Sequence, residues 1–125
     1  RSLVLKVTHR EVSFLLTGDI EEAGEEALDP GQVTVVKAPH HGSDTSSSAR
    51  FVERTRPRFV VFCVGLNHRF RFPRAEVVQR WEAAGARCYR TDFDGAVTFR
   101  SDGRGVAVET FHRADRAQAR RVPGR

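Results

Sequence analysis

Methionine is absent from the 125 residues, tryptophan and tyrosine occur once each, and cysteine occurs twice. Two lone cysteines, Cys63 and Cys88, exclude the dense disulfide framework of a small secreted domain, and they are too far apart in sequence to read as a paired-thiolate metal motif. Each falls in an apolar stretch, so both read as buried core thiols. No apolar run approaches the ~20 residues a membrane helix needs. The longest, such as residues 59–64, have the length of a strand. The segment therefore reads as soluble. A secretory leader pattern is missing as well. With no methionine, and with Arg1 opening directly into a strand pattern, the sequence reads as a piece of a longer polypeptide.

What is present is enough for one domain, since a chain of this length can bury roughly two-thirds of its unfolded surface. The formal net charge of +5 is unevenly placed: residues 113–125 carry five Arg and one Asp, which leaves only +1 for everything before them. Acidic side chains cluster at Glu21, Glu22, Glu25, Glu26 and Asp29, whereas residues 50–80 hold eight Arg against Glu53 and Glu76. A basic second half suits a polyanion such as DNA, with Arg69, Arg71 and Arg74 as candidate phosphate contacts. Ordinary solvation of Arg on exposed faces explains the same pattern.

Periodicity sets the order of elements. Alternation around Leu3, Leu5 and Val7, a polar turn and then residues 12–16 read as a hairpin. A helix is expected over residues 20–28, ended by Asp29-Pro30-Gly31, and a strand over 33–37. Ser46, Ser47 and Ser48 offer N-cap hydroxyls for a helix that runs to Pro57. The strand 59–64 follows. Pro73 is placed in the first turn of a helix carrying Val77, Val78 and Trp81 and closed by Gly85. Strands over 86–89, 96–99 and 106–111 come next, joined by turns at Asp94-Gly95 and Asp102-Gly103. Residues 113–125 lack apolar periodicity and read as a disordered or weakly helical tail.

Two motifs carry chemistry. Thr17-Gly18-Asp19 follows the strand ending in Phe14-Leu15-Leu16, and Lys37-Ala38-Pro39-His40-His41-Gly42-Ser43 follows the strand containing Val33, Val35 and Val36. A carboxylate and two imidazoles at neighbouring strand ends are the donor mixture that zinc or manganese accepts. Adjacent His side chains diverge, so only one of His40 and His41 would bind a given ion, leaving the other for hydrogen bonding. Two donors fall short of the three protein ligands usual for catalytic zinc. Ser43, Thr45 and Ser46 have hydroxyls for a phosphate or, equally, for helix capping. His68 reads as a loop residue, His9 as a turn residue and His112 as a strand-end residue.

These motifs, together with Ser2-Leu3-Val4-Leu5 and Arg87-Cys88-Tyr89-Arg90-Thr91-Asp92-Phe93-Asp94-Gly95-Ala96, resemble in that order the C-terminal metallo-beta-lactamase-like hydrolase domain of ComEC-type competence proteins. The resemblance covers residues 2–99 and implies an α/β fold, α+β by some schemes, that is the second half of a four-layer αββα sandwich. Residues 1–112 would be that half-domain and 113–125 a basic tail. It further implies that Asp19 bridges two metals, that His41 is the closing ligand of one of them, that His40 stands beside the centre as a catalytic group, and that Lys37 contacts phosphate. Two departures stand out. The His-rich cluster of the family's first half is absent, and Arg71-Phe72-Pro73 occupies the place of a Gly-His-Pro, with His68 four residues before Phe72.

The function implied is a metal-dependent phosphodiesterase acting on DNA during uptake, complete only when joined to the missing N-terminal half of the domain and to a membrane-channel portion of an inner-membrane protein. The alternatives are a catalytically silent DNA-binding or structural segment, or a hydrolase of the same fold with another substrate. A half-sandwich would leave one sheet face bare, and self-association of the piece is then expected.

Overall fold

The computed structural model describes residues 2–65, 71–111 and 121–123. Its architecture follows from alternation in the central strands. In β4 (Phe59–Phe62) every residue is buried, and successive side chains go to opposite faces. Val60 and Phe62 enter a core with Phe51, Val52, Val77 and Trp81, while Phe59 and Val61 enter a second core with Tyr89, Val106 and Val108. β3 (Val35–Lys37) divides likewise, with Val36 in the first core and Val35 in the second. Helices therefore cover one face of the main sheet, and a smaller sheet covers the other.

The main sheet has the order β1-β2-β3-β4-β5, with β1 (Leu5–His9) antiparallel to β2 (Val12–Leu16), and β2 through β5 (Arg87–Arg90) parallel. Leu16 pairs with Lys37, Lys37 with Val61, and Phe62 with Arg90, so the carboxyl ends of the parallel strands line up at one edge. Open α/β sheets gather ligands at that edge. The helices that connect and cover the strands are α1 (Glu22–Glu26), α2 (Ala49–Thr55), α3 (Ala75–Ala83) and the single turn α4 (Thr91–Asp94). The second sheet is antiparallel, with β6 (Val97–Ser101), β7 (Gly105–Thr110) and β8 (Arg121–Pro123). Among the described residues no helix is long and apolar enough to cross a membrane.

This is a mixed α/β arrangement with two sheets, and it differs from the sequence reading at several points. α1 is much shorter than 20–28, since Gly24 weakens it and Glu25 turns inward. Pro73 precedes the N-cap Arg74 of α3 instead of lying in its first turn, because the Arg74 N–H donates to the Gly42 carbonyl (3.0 Å) and ties the loop to the preceding layer. The α4 turn was not foreseen. Arg121–Pro123, in the stretch expected to be a disordered or weakly helical tail, pairs with the open edge of β7. His112 and the rest of the basic stretch 113–120 lie outside the described residues. Of the expected core cysteines, Cys88 packs against the helix-side core, where burial and then Glu82 push its thiol up to about 12. Cys63, half-buried just beyond the end of β4, packs against the other core, beneath the smaller sheet.

Bare apolar side chains lie on and around β1 and, elsewhere in the chain, at Phe93 and Phe111. β1 is exposed throughout, and Leu3, Leu5, Val7 and Leu16 are exposed there, while β4 is covered on both faces.

Candidate functional site

The loops after β2 and β3 are stapled together by their own polar groups. The Thr17 hydroxyl donates to the Lys37 carbonyl, and the His40 N–H donates to the Gly18 carbonyl at 3.0 Å. Gly18 takes φ 59, and a Cβ there would stand 3.1 Å from the Leu3 carbonyl, so only glycine lets the segment before β1 approach. Ser2 then accepts from the Asp19 N–H (3.0 Å), fixing the backbone of the carboxylate residue.

After β3 the chain makes a tight turn over Pro39–Gly42 in which His40 (φ 48), His41 (φ 56) and Gly42 (φ 84) are all left-handed. For a non-glycine residue this costs about 1–2 kcal/mol, a cost met by the surrounding bonds. Its effect is to splay two consecutive imidazoles, whose ring centroids are 6.3 Å apart at 58°. At Gly42 no side chain fits: a Cβ would lie 2.4 Å from Pro73 Cβ and 2.8 Å from Phe62 Cδ1.

His41 Nδ1 is 2.7 Å from the Cys63 carbonyl oxygen. A carbonyl only accepts, so Nδ1 carries the hydrogen and a neutral ring has its lone pair on Nε2. That nitrogen faces Asp19 Oδ1 at 3.2 Å. Two acceptors at this distance call for a proton or a cation between them, and an imidazole held by a backbone carbonyl through its other nitrogen is the usual posture of a metal ligand. The pair opens into a cavity of about 460 Å³ lined by Asp19, His40, His41, Cys63, Val64, Gly65 and Phe72. His40 meets the Phe72 ring edge-on at 5.9 Å. Its Nδ1 is buried without a hydrogen-bond partner among the described residues, Glu21 Oε2 lying 3.8 Å away.

No family model matches the chain. It is 33% identical over 114 residues to ComE operon protein 3 of Bacillus subtilis (strain 168), covering 88% of this chain and 14% of that protein. Competence protein ComA of Neisseria gonorrhoeae is 34% identical over 116 residues, 87% of this chain and 16% of that protein. Recombination protein 2 of Haemophilus influenzae is 35% identical over 81 residues, 63% of this chain and 10% of that protein. The chain belongs to the ComEC-type competence proteins. It spans 14% to 16% of the length of the first two relatives.

Within this ComEC-type segment the structure brings Asp19, His40 and His41 to one cavity, as read from the two motifs. Lys37 is half-buried at the end of β3 and does not line the cavity, its carbonyl being the acceptor for Thr17. Ser43 is buried, with its hydroxyl 2.9 Å from Thr45 Oγ1 and accepting from the Thr45 N–H, so it is taken up inside the loop. Arg71 is exposed, and the Arg74 guanidinium lies 5.9 Å from the Phe72 ring centroid. His68 and Arg69 lie outside the described residues. The three serines divide their work: Ser46 donates to the Pro39 and Ser43 carbonyls, Ser47 stands at φ 56, and Ser48 alone caps α2 by accepting from the Phe51 N–H.

One supporting residue had no sequence signal beyond being one of many acids. Glu25 is 1% exposed, and its two carboxylate oxygens accept from the Ser47 and Ser48 N–H groups. Arg80 donates to the Ser47 carbonyl from the other side (2.6 Å). Between them the loop from the histidine turn to α2 is held fast. Glu25→Ala is expected to lower stability by about 2–4 kcal/mol in urea unfolding, because two buried donors lose their acceptors together. Glu25→Gln should fall between, since the amide has one acceptor oxygen and presents an N–H to a donor. Equal stability of all three forms would show that water satisfies those amides.

Proposed function

We propose that this segment is part of a metal-dependent phosphodiesterase, a nuclease acting on DNA, within an inner-membrane DNA-uptake protein of natural competence. The observation that carries the reading is the facing of His41 Nε2 and Asp19 Oδ1 at 3.2 Å on a cavity wall, with His41 turned by the Cys63 carbonyl. The names of the relatives, a competence protein and a recombination protein, give the DNA context. The helix layer, five-stranded sheet and three-stranded sheet are what the second half of a metallo-beta-lactamase-type sandwich would contribute, and the bare Leu3, Leu5, Val7 and Leu16 are apolar surface for its other half.

The residues present fit a shared divalent ion, zinc or manganese, as part of its shell: one carboxylate oxygen and one imidazole nitrogen, a mixture both ions accept. Among the described residues no group of three His, Cys, Asp or Glu side chains converges, so further ligands come from outside them. When bound, such ions lower the pKa of water and stabilise the attacking and leaving oxygens of a phosphodiester. For its part the chain holds Asp19 and His41 in register through the Thr17 and Gly18 staples, and presents His40 at the cavity wall for a hydrogen bond to substrate. Lys37, Arg69, Arg71 and Arg74 are the cations proposed for phosphate contact.

Titration calorimetry of the chain with zinc and manganese tests the reading. Binding should be weak, as two donors dictate, and both Asp19→Ala and His41→Ala should abolish what there is. Tight stoichiometric binding that survives both substitutions would move the site elsewhere and leave this cavity a structural or DNA-binding feature.

A further inference from the structure

The stretch after β5 takes no part in the site as described, yet it is tightly built. Asp92 has a side chain only 1% exposed and forks onto Arg90, with Nε to Oδ1 at 3.0 Å and Nη2 to Oδ2 at 2.7 Å. The same guanidinium lies 3.7 Å from the Phe93 ring centroid. Asp94 Oδ2 accepts from the Arg90 N–H (2.8 Å), and the Gly95 N–H closes the turn on the Thr91 carbonyl (3.1 Å). Gly95 sits at φ 71, where a Cβ would strike Phe111 Cβ at 2.8 Å. Every group in this turn is fixed, and the side chain it holds out to the neighbouring strand is Thr91.

Thr91 Oγ1 is 2.9 Å from both the N–H and the carbonyl of Val64. A hydroxyl can accept from one and donate to the other at once. The β4–β5 ladder ends at the pair Phe62 and Arg90, so Val64 lies beyond the reach of sheet hydrogen bonds. Thr91 replaces the ladder there. Val64 directly follows Cys63, whose carbonyl takes the Nδ1 hydrogen of His41.

We propose that Thr91 is the positioning residue for His41: by clamping Val64 it fixes the Cys63 carbonyl, which selects the Nδ1–H form of the imidazole and turns Nε2 toward Asp19. This rests on the proposed metal site only for its consequence in metal binding. The ring form itself is a property of the metal-free chain.

The test is nitrogen-detected NMR of the histidine rings in the whole metal-free chain at about pH 8, above the ordinary imidazole range. His41→Gln assigns the resonances. The original chain and Thr91→Ser, which keeps the hydroxyl, should show a hydrogen on His41 Nδ1, whether or not a second one bridges Nε2 and Asp19. Thr91→Val should show a mixture with Nε2–H, and Thr91→Ala gives the same comparison without the branched methyl should the valine form fail to fold. Zinc affinity should fall about tenfold or more in the hydroxyl-less variants and recover in Thr91→Ser. An unchanged His41 ring form in a folded Thr91→Val or Thr91→Ala chain overturns the proposal, whatever happens to stability. If the ring form follows Thr91 while zinc affinity does not, the positioning stands and its consequence for metal binding fails.

Discussion

On the nuclease reading proposed above, Asp19→Ala in a protein that includes the remaining ligands is expected to reduce metal-dependent DNA cleavage more than about a hundredfold, a larger loss than that from changing an outer partner of a metal ligand. Asp19 is the carboxylate facing His41 Nε2, and its own backbone is pinned by Ser2, so no neighbouring acid replaces it without moving the loop. Asp19→Asn separates charge from shape: the amide keeps the volume and the Ser2 bond, and loses the anionic donor. It should be nearly as damaging as Ala. His68→Ala in the same assay should cost less than about tenfold. Cleavage of a linear duplex with added zinc or manganese provides the measurement. A His68 variant as inactive as the Asp19 variant would promote the loop histidine to ligand or catalytic acid, and full activity of Asp19→Ala would remove this cavity from the chemistry.

Gly42→Ala is expected to lower stability by roughly 2–5 kcal/mol, from a left-handed backbone that alanine resists and from overpacking against two neighbours. The added methyl would meet Pro73 Cβ at 2.4 Å and the Phe62 ring at 2.8 Å, and neither is the free end of a flexible chain. Relief requires moving the loop that carries Phe72 and Pro73 away from the histidine turn. The substitution should therefore also disturb the cavity, read as loss of the residual metal binding by calorimetry in whatever fraction remains folded at low temperature. A stable Gly42→Ala chain in urea would mean that the loop yields cheaply and that the close approach is incidental.

Much of the fold was legible because strands and turns leave local marks. The apolar run of Val12, Phe14, Leu15 and Leu16, the longer run at Phe59–Phe62 and the glycine at 85 placed β2, β4 and the end of α3 close to where they are found. The errors fall where distant partners decide. Residues 20–28 have helix-forming composition, but Glu25 serves the Ser47 and Ser48 amides more than 20 residues away and the helix is one short piece. Arg121–Pro123 has no strand pattern of its own and takes its form from the open edge of β7. Cys63 packs against the core as its apolar run suggests, but its further part, a backbone carbonyl that takes the His41 Nδ1 hydrogen, is one no side-chain pattern reveals.

The sequence by itself placed an Asp after one strand and a His pair after the next, at neighbouring strand ends, and the parallel pairing of those strands brings them to one sheet edge. It also pointed to the family, which relatives 33% and 34% identical over most of the chain uphold. Only the tertiary structure decided which imidazole nitrogen faces Asp19, that His40 is turned toward Phe72 instead, and that Gly42, Glu25 and Thr91 hold these rings where they are. The physical reason is range. Strand propensity and turn chemistry act over a few residues and are written locally, while the orientation of an imidazole is set by a carbonyl 22 residues away, whose neighbour Val64 is held by a hydroxyl 27 residues further on.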